Sequence, residues 1–335
     1  MKSGEIVLCW ILLVACSGRT RESQVTTSYP TPFIADEVAT LSSTLVSALP
    51  TKVELDTRKV ALGRQLFDDR RMSGDGRVAC SHCHQLKNGG ANGLVRASLP
   101  GREPTSVNVP SIFNVAYLYR FAWSGRFRDV GQQIDFAMGS PTAMASSWEL
   151  ALNNVRSDTT LRAAFSQVYS EGLTTSTLRD SIVTYSLSLS TPNSRFDRFL
   201  RRELTLSHDE QEGYTLFVDY GCVSCHQGIN LGGNMVQRFG IMRDYFTDKA
   251  VLSEADLGLY RETKREEDRY VFRVPSLRNV ALTAPYFHDG TAETLADAVR
   301  TMGRYQLGRE LQVREVESMV AFLRSLTGEL DGWPL

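Results

Sequence analysis

The chain has 335 residues, with 37 basic side chains against 38 acidic ones. That balance argues against non-specific nucleic-acid binding, which needs clustered positive charge. A hydrophobic content of 42% excludes wholesale disorder, the length suggests about two domains, and no apolar run reaches the roughly 18 residues of a membrane span.

The N-terminus reads as an export signal. Lys2 supplies a positive charge, and residues 6–15 form an apolar stretch too short to cross a bilayer. The stretch ends in Leu13-Val14-Ala15-Cys16, which resembles the lipobox of bacterial lipoproteins. Residues 1–15 are therefore expected to be a lipoprotein signal, with Cys16 the lipidated first residue of the mature chain. A plain signal peptide cut nearby is the alternative. Ser17 after the cysteine favours the outer membrane, on the periplasmic side of a bacterial envelope. Residues 16–32 are rich in Ser, Thr, Arg and Pro and read as a flexible tether.

A first helix is expected around Gly63-Arg64-Gln65-Leu66-Phe67, capped by Asp56. Cys80-Ser81-His82-Cys83-His84 follows. A closing helix covers Ser181-Ile182-Val183-Thr184-Tyr185-Ser186-Leu187-Ser188-Leu189, and Thr191-Pro192-Asn193 breaks it. The order then repeats. Ser207 and Glu210 form a capping box before Gly213-Tyr214-Thr215-Leu216-Phe217. Cys222-Val223-Ser224-Cys225-His226 comes next, and Ser318-Met319-Val320-Ala321-Phe322-Leu323-Arg324-Ser325-Leu326 closes the second half with helical apolar spacing.

Cys9 and Cys16 belong to the leader, and the other four cysteines form the two pairs. C-x-x-C-H is the attachment signal of c-type haem. Two thiols add to the two vinyl groups of one porphyrin, and the adjacent histidine is placed under the iron. A single C-x-x-C could instead be redox-active or half of a zinc site. A zinc site would need both pairs to converge and would not explain a histidine after each. His82, inside the first motif, is read as non-ligating. The expected fold is mainly α: two tandem cytochrome c-like domains with long haem-wrapping loops, 33–191 and 192–335.

From about residue 56 to 328 the chain resembles the bacterial di-haem cytochrome c peroxidases and the related di-haem enzymes that oxidise partner proteins. The resemblance is carried by Leu62-Gly63-Arg64-Gln65-Leu66-Phe67, Trp123-Ser124-Gly125-Arg126, Gly221 with the second motif, Val274-Pro275-Ser276-Leu277-Arg278-Asn279, Ala284-Pro285-Tyr286-Phe287-His288-Asp289-Gly290 and Met302-Gly303-Arg304-Tyr305-Gln306-Leu307-Gly308. It implies that peroxide reacts at the first haem and that electrons enter at the second. It implies Met302 as sixth ligand of the second haem, a soft sulfur donor that favours Fe(II), with Met235 and Met242 ranked below it. It implies that Trp123 carries electrons between the haems. It also implies a calcium ion held by Asn108, Thr283 and Pro285, the last two through backbone oxygen. The family is commonly dimeric, so a homodimer is among the implied assemblies.

Two departures fall on the peroxide side. Many members cap the first haem with a histidine from the following loop, but residues 85–106 contain none. The first iron is then expected to be five-coordinate or water-ligated, unless another loop side chain binds it. The family's Asn-Pro-x-Glu-Met stretch, whose glutamate shuttles a proton between peroxide oxygens, reads Ser140-Pro141-Thr142-Ala143-Met144 here. Gln133 matches a distal-side glutamine that can hydrogen-bond a bound oxygen ligand but cannot shuttle a proton. The leading expectation is reduction of hydrogen peroxide to water with electrons from a small cytochrome c or cupredoxin. The alternatives are oxidation of a partner protein or organic substrate, and a non-catalytic lipid-anchored electron-transfer or haem sensor protein. His208 is expected to be exposed, His288 to make a structural hydrogen bond near the domain interface, and the charged stretch 261–269 to be a solvated surface.

Overall fold

The computed structural model describes residues 45–335; the leader, Cys16 and the tether lie outside them. The described chain is mostly helical. Among the described residues, no helix is long and apolar enough to cross a membrane.

The first half contains α1 (Thr57–Phe67), α2 (Val130–Gly139), α3 (Trp148–Val155), α4 (Thr159–Val168) and α5 (Thr175–Ser188). Polar side chains start them: Asp56, Asp129, Ser147, Asp158 and Thr174 each accept an amide of the first turn. Leu62 and Leu66 of α1 pack with Val155, Phe165, Leu178 and Ile182 in one core. The second half contains α6 (Arg195–Leu200), α7 (His208–Asp219), α8 (Tyr260–Thr263), α9 (Leu295–Gln306) and α10 (Val313–Arg324). Its core gathers Phe196, Tyr214, Phe217, Val316, Met319 and Phe322. A short antiparallel ribbon joins β1 (Val236–Arg238) to β2 (Val271–Arg273), with Val236 opposite Arg273.

The halves repeat the same helix crossing. A Cβ on Gly63 of α1 would collide with the carbonyl oxygen of Ser181 in α5, and one on Gly213 of α7 with that of Ser318 in α10. Four residues beyond each glycine, Phe67 meets Tyr185 edge-on at 5.2 Å between centroids, and Phe217 meets Phe322 at 5.1 Å. These glycines let two backbones touch, so each closing helix lies directly on the helix before its haem motif.

The halves share a second repeat, in sequence and in backbone. Pro110-Ser111-Ile112-Phe113-Asn114-Val115-Ala116 corresponds to Pro275-Ser276-Leu277-Arg278-Asn279-Val280-Ala281. Asn114 (φ 60°) and Asn279 (φ 58°) both adopt the left-handed conformation and open a 3₁₀ turn. Asn tolerates that region because its short polar side chain bonds locally. Both donate Nδ2 to Thr191 Oγ1 at 2.7 Å. Thr191, at the expected boundary, is thus a buried knot between the halves. At the same offset, the Asn108 N–H donates to His288 O at 2.8 Å and the Arg273 N–H to Trp123 O at 2.8 Å. The exchange is reciprocal, and Trp123 meets its counterpart His288 edge-on at 6.4 Å.

The two ends of the described segment cross over. Residues 45–49, on the first-domain side of the expected boundary, lie against the second core. Val46 packs there, and the Leu49 N–H donates to Asp197 Oδ1 at 2.9 Å. Conversely Leu330 and Leu335, in and after the hairpin β3 (Glu329–Leu330) and β4 (Trp333–Pro334), pack on the cluster of Phe67, Phe113 and Tyr185.

Candidate haem centres

In the second half, Gly221 (φ 77°) leads into a 3₁₀ turn at Cys222–Ser224. The Cys225 and His226 amides both donate to Cys222 O, at 3.2 and 3.0 Å. This turn sets both thiols and the imidazole on one wall of a cavity of about 360 Å³. His226 Nδ1 lies 3.2 Å from Pro275 O and 3.4 Å from Leu231 O. Carbonyls only accept, so Nδ1 carries the proton and Nε2 keeps its lone pair for a metal. Burial pushes the imidazole down to about 4, which holds it neutral. A Cβ on Gly232 (φ 125°) would run into Pro275 O, so the close approach behind His226 needs glycine.

Met302 on α9, Trp123 and Arg273 border the same cavity. Trp123 is fixed by its Nε1–H, which donates to Asn108 O at 2.8 Å. Neither Met235 nor Met242 borders the cavity; Met242 is exposed. Met319 does border it, from within the second core. Asn108, Thr283 and Pro285 also meet this cavity. Asn108 is buried and donates Nδ2 to Leu94 O at 2.9 Å, which leaves Oδ1 as an acceptor.

The first centre repeats the turn. Cys80–His82 is 3₁₀, and the Cys83 and His84 amides donate to Cys80 O at 3.2 and 3.0 Å. His84 Nδ1 lies 3.2 Å from Gly90 O, which again frees Nε2. His82 Nδ1 instead accepts the Ala79 N–H at 3.0 Å, a local cap. Cys80 and Cys83 pack against the first core. No disulfide joins the four cysteines. Burial pushes the Cys80 thiol up to about 12 and that of Cys222 up to about 11, so neither is a thiolate at neutral pH. Cys80 and Cys83 border the first core and Cys222 the second, which removes the geometry a shared zinc site needs. Free thiol pairs, oriented imidazoles and apolar walls fit two c-type haems.

Gln133 lies on α2, and its Oε1 is buried without a hydrogen-bond partner. Ala143 sits in the turn after α2, where its amide donates to Ser140 O at 3.0 Å. The acid on α2, Asp135, is bonded by Arg179 Nε and Nη2 at 2.7 and 2.8 Å and by Trp148 Nε1 at 3.0 Å. The Arg179 bonds hold its carboxyl below the usual range, so it stays ionised and is a poor general acid in place of a glutamate.

Two arginines escaped the sequence reading. The Arg102 side chain is 4% exposed and pairs with Asp75 at 2.8 Å, but its Nη1 is buried without a partner. Its charge works against the burial that raises the Cys83 thiol, so it lies near the first motif. Arg273 is 6% exposed. A lone arginine in a loop or short strand has no spacing signal, although the repeat would have paired Arg273 with Asn108. His288 is buried, and its Nε2 donates to Asp256 Oδ1 at 2.8 Å. His208 is exposed, its side chain at 84%. The stretch 261–269 is largely solvated, with the local ion pairs Arg265–Asp268 and Arg269–Glu266 at 2.7 Å.

The family described as di-haem cytochrome c peroxidase matches residues 57–205. The chain is 39% identical to the cytochrome c peroxidase Ccp of Escherichia coli over 285 residues, 84% of this chain but 61% of that protein's length. It is 39% identical to the cytochrome c551 peroxidase of Nitrosomonas europaea, covering 82% of this chain and 81% of the relative. It is 29% identical to the methylamine utilization protein MauG of Methylorubrum extorquens, over 84% and 81% of the two chains. The crystal structure of a MauG-like protein associated with microbial copper homeostasis shares the fold, with a TM-score of 0.73 over 84% of this chain and 93% of that one at 24% identity. With its two haem-attachment turns set in a duplicated helical frame, the chain belongs to the di-haem cytochrome c peroxidase family.

Proposed function

We propose that the chain reduces hydrogen peroxide to water at the first centre, with electrons that enter at the second from a small cytochrome c or cupredoxin. The observation that carries this reading is that Cys222, Cys225, His226, Met302 and Trp123 border one and the same cavity. When bound, the two haems supply reversible one-electron chemistry and an iron at which peroxide reacts. Cys80 with Cys83, and Cys222 with Cys225, hold them through thioethers. His84 and His226 would offer Nε2 to the irons, each imidazole locked by its Nδ1–carbonyl bond. Met302 would offer its sulfur as a further ligand of the second haem, a soft donor that favours the reduced state. Trp123 is held rigid between the halves. Gln133 Oε1 is an unspent acceptor for a peroxide O–H. It orients the oxygen but stores no proton, so solvent supplies the two protons that accompany two electrons into two waters.

Asn108 Oδ1 and the backbone oxygens of Thr283 and Pro285 are hard donors, and we assign them to one calcium ion. Export as an outer-membrane lipoprotein through Cys16, a division into 33–191 and 192–335, and a homodimer complete the proposal. A second reading, oxidation of a partner protein, draws on Ala143, which removes the family's proton shuttle.

The test is peroxide-dependent oxidation of a reduced small cytochrome c by the calcium-loaded holoprotein, beside Ala143→Glu. We expect turnover by the native protein, and a faster rate in the variant, up to the roughly 10²-fold that one general acid supplies. An inert native protein beside an active variant would overturn peroxide reduction as the native task and favour the second reading.

A further inference from the structure

Among the described residues, Arg273 is a buried cation with no anionic partner. It is 6% exposed, and its Nε donates only to the backbone oxygen of Ala122 at 3.1 Å. Among the described residues no carboxylate pairs with it, and burial alone pushes its guanidinium down to about 10. The other deeply buried arginines differ. Arg278 pairs with Asp197 at 2.8 Å, both side chains almost fully sealed, and Arg102 pairs with Asp75 at 2.8 Å. An unpaired buried charge is strongly destabilising, so a protein that keeps one usually has a partner for it. The Arg273 side chain borders the cavity of the second centre, on the strand that bonds back to Trp123 O. A c-type haem fixed there by Cys222 and Cys225 brings carboxylates of its own, its two propionates, and arginine is the side chain suited to holding carboxylates in pairs.

We propose that Arg273 binds a propionate of the second haem and so positions that haem edge beside Trp123. This rests on the presence of the second haem, and it adds an electrostatic role. The cation offsets the propionate charge and keeps the reduced haem favoured, in the same direction as Met302. Arg273 is a positioning residue; it touches cofactor carboxylate and Trp123 backbone but no reacting atom.

The experiment is a spectroscopic redox titration of the holoprotein, with covalent haem counted by mass, for the native chain, Arg273→Gln and Arg273→Lys. We expect the second haem's midpoint to shift downward in Arg273→Gln, to be largely retained in Arg273→Lys, and the first haem's midpoint to stay in place. An unmoved midpoint in Arg273→Gln with both haems attached would overturn the proposal, as would equal shifts in both variants, which mark a structural role. If Arg273→Gln does not fold, the propionate-bending band in resonance Raman spectra decides. A band that moves between native protein and Arg273→Lys supports the contact, and an identical band refutes it. A native chain carrying haem only at Cys80 and Cys83 would instead defeat the functional reading itself.

Discussion

His288 shows how a single side chain is held by partners far away in sequence. Its Nε2 donates to Asp256, which with Asp289 flanks the Lys249 ammonium, 2.7 Å from Asp289 Oδ2. The ring also stacks on Phe272 at 4.4 Å between centroids. Burial alone would raise the Asp256 pKa, but hydrogen bonds from Lys249, Ser253 and His288 outweigh it and hold the carboxyl below its usual range. Burial would raise Asp289 too, but the Lys249 ammonium, the Thr291 hydroxyl and His288, once acid protonates it, outweigh burial. The imidazole is pushed down by burial despite both carboxylates, so it is neutral near pH 7. Removing Lys249 leaves two buried carboxylates facing each other. Lys249→Met is expected to cost about 3 kcal/mol, the lower end for breaking a buried pair because Lys249 keeps some solvent access; urea unfolding measures it. The sign with pH follows. Carboxylates with depressed folded pKa values stabilise fully above the unfolded value of about 4 and lose that contribution as pH falls toward the folded values. Native stability should therefore drop between about pH 5 and 3 more steeply than that of Lys249→Met. Parallel pH profiles would refute this.

At the scale of elements, the two glycine contacts decide how helices meet. α1 on α5 and α7 on α10 cross so closely that no Cβ fits at Gly63 or Gly213. Gly213→Ala gains about 1 kcal/mol of helix propensity but must push α10 away from α7 and so loosen the contact of Phe217 with Phe322. Overpacking of this kind costs about 1–3 kcal/mol, so the net expectation is a lower thermal midpoint for the holoprotein. The same sign should hold for Gly63→Ala, and a raised midpoint in either would show that the helices can part freely. Ser318 supports this crossing from the side, since its Oγ donates to Glu212 Oε2 at 2.7 Å.

At the scale of the whole molecule, the halves are stitched rather than strung. Thr191 gathers Asn114 and Asn279, Arg126 reaches Glu262 at 2.6 Å, and residues 45–49 and 330–335 each pack on the opposite half. Between them the second centre leaves a cavity of about 360 Å³ walled by Phe239, Phe272 and Met302. An empty apolar cavity of that size forfeits packing that a porphyrin would supply. The double variant Cys222→Ala/Cys225→Ala should therefore retain one covalent haem by mass. Limited proteolysis should then cut first in the segment 236–311, which wraps the cavity. Unchanged protease resistance would mean that the second half holds its shape without its haem.

What the amino-acid sequence determines by itself is what neighbouring residues settle. The turns at Cys80 and Cys222 close through bonds between residues three and four apart, so the spacing of the motif already contains its shape. The caps at Asp56 and Ser207 and the glycines at 63 and 213 are equally local, and the repeat they mark was legible. Tertiary structure alone decided which distant groups meet. Arg273 bonds a carbonyl 151 residues away, Asn279 a hydroxyl 88 residues away, and His288 a carboxylate 32 residues away. No periodicity records such meetings, because each depends on where two loops are carried by the helices that anchor them. The orphaned Gln133 oxygen and the unpaired Arg273 charge became visible only when burial removed water as their partner.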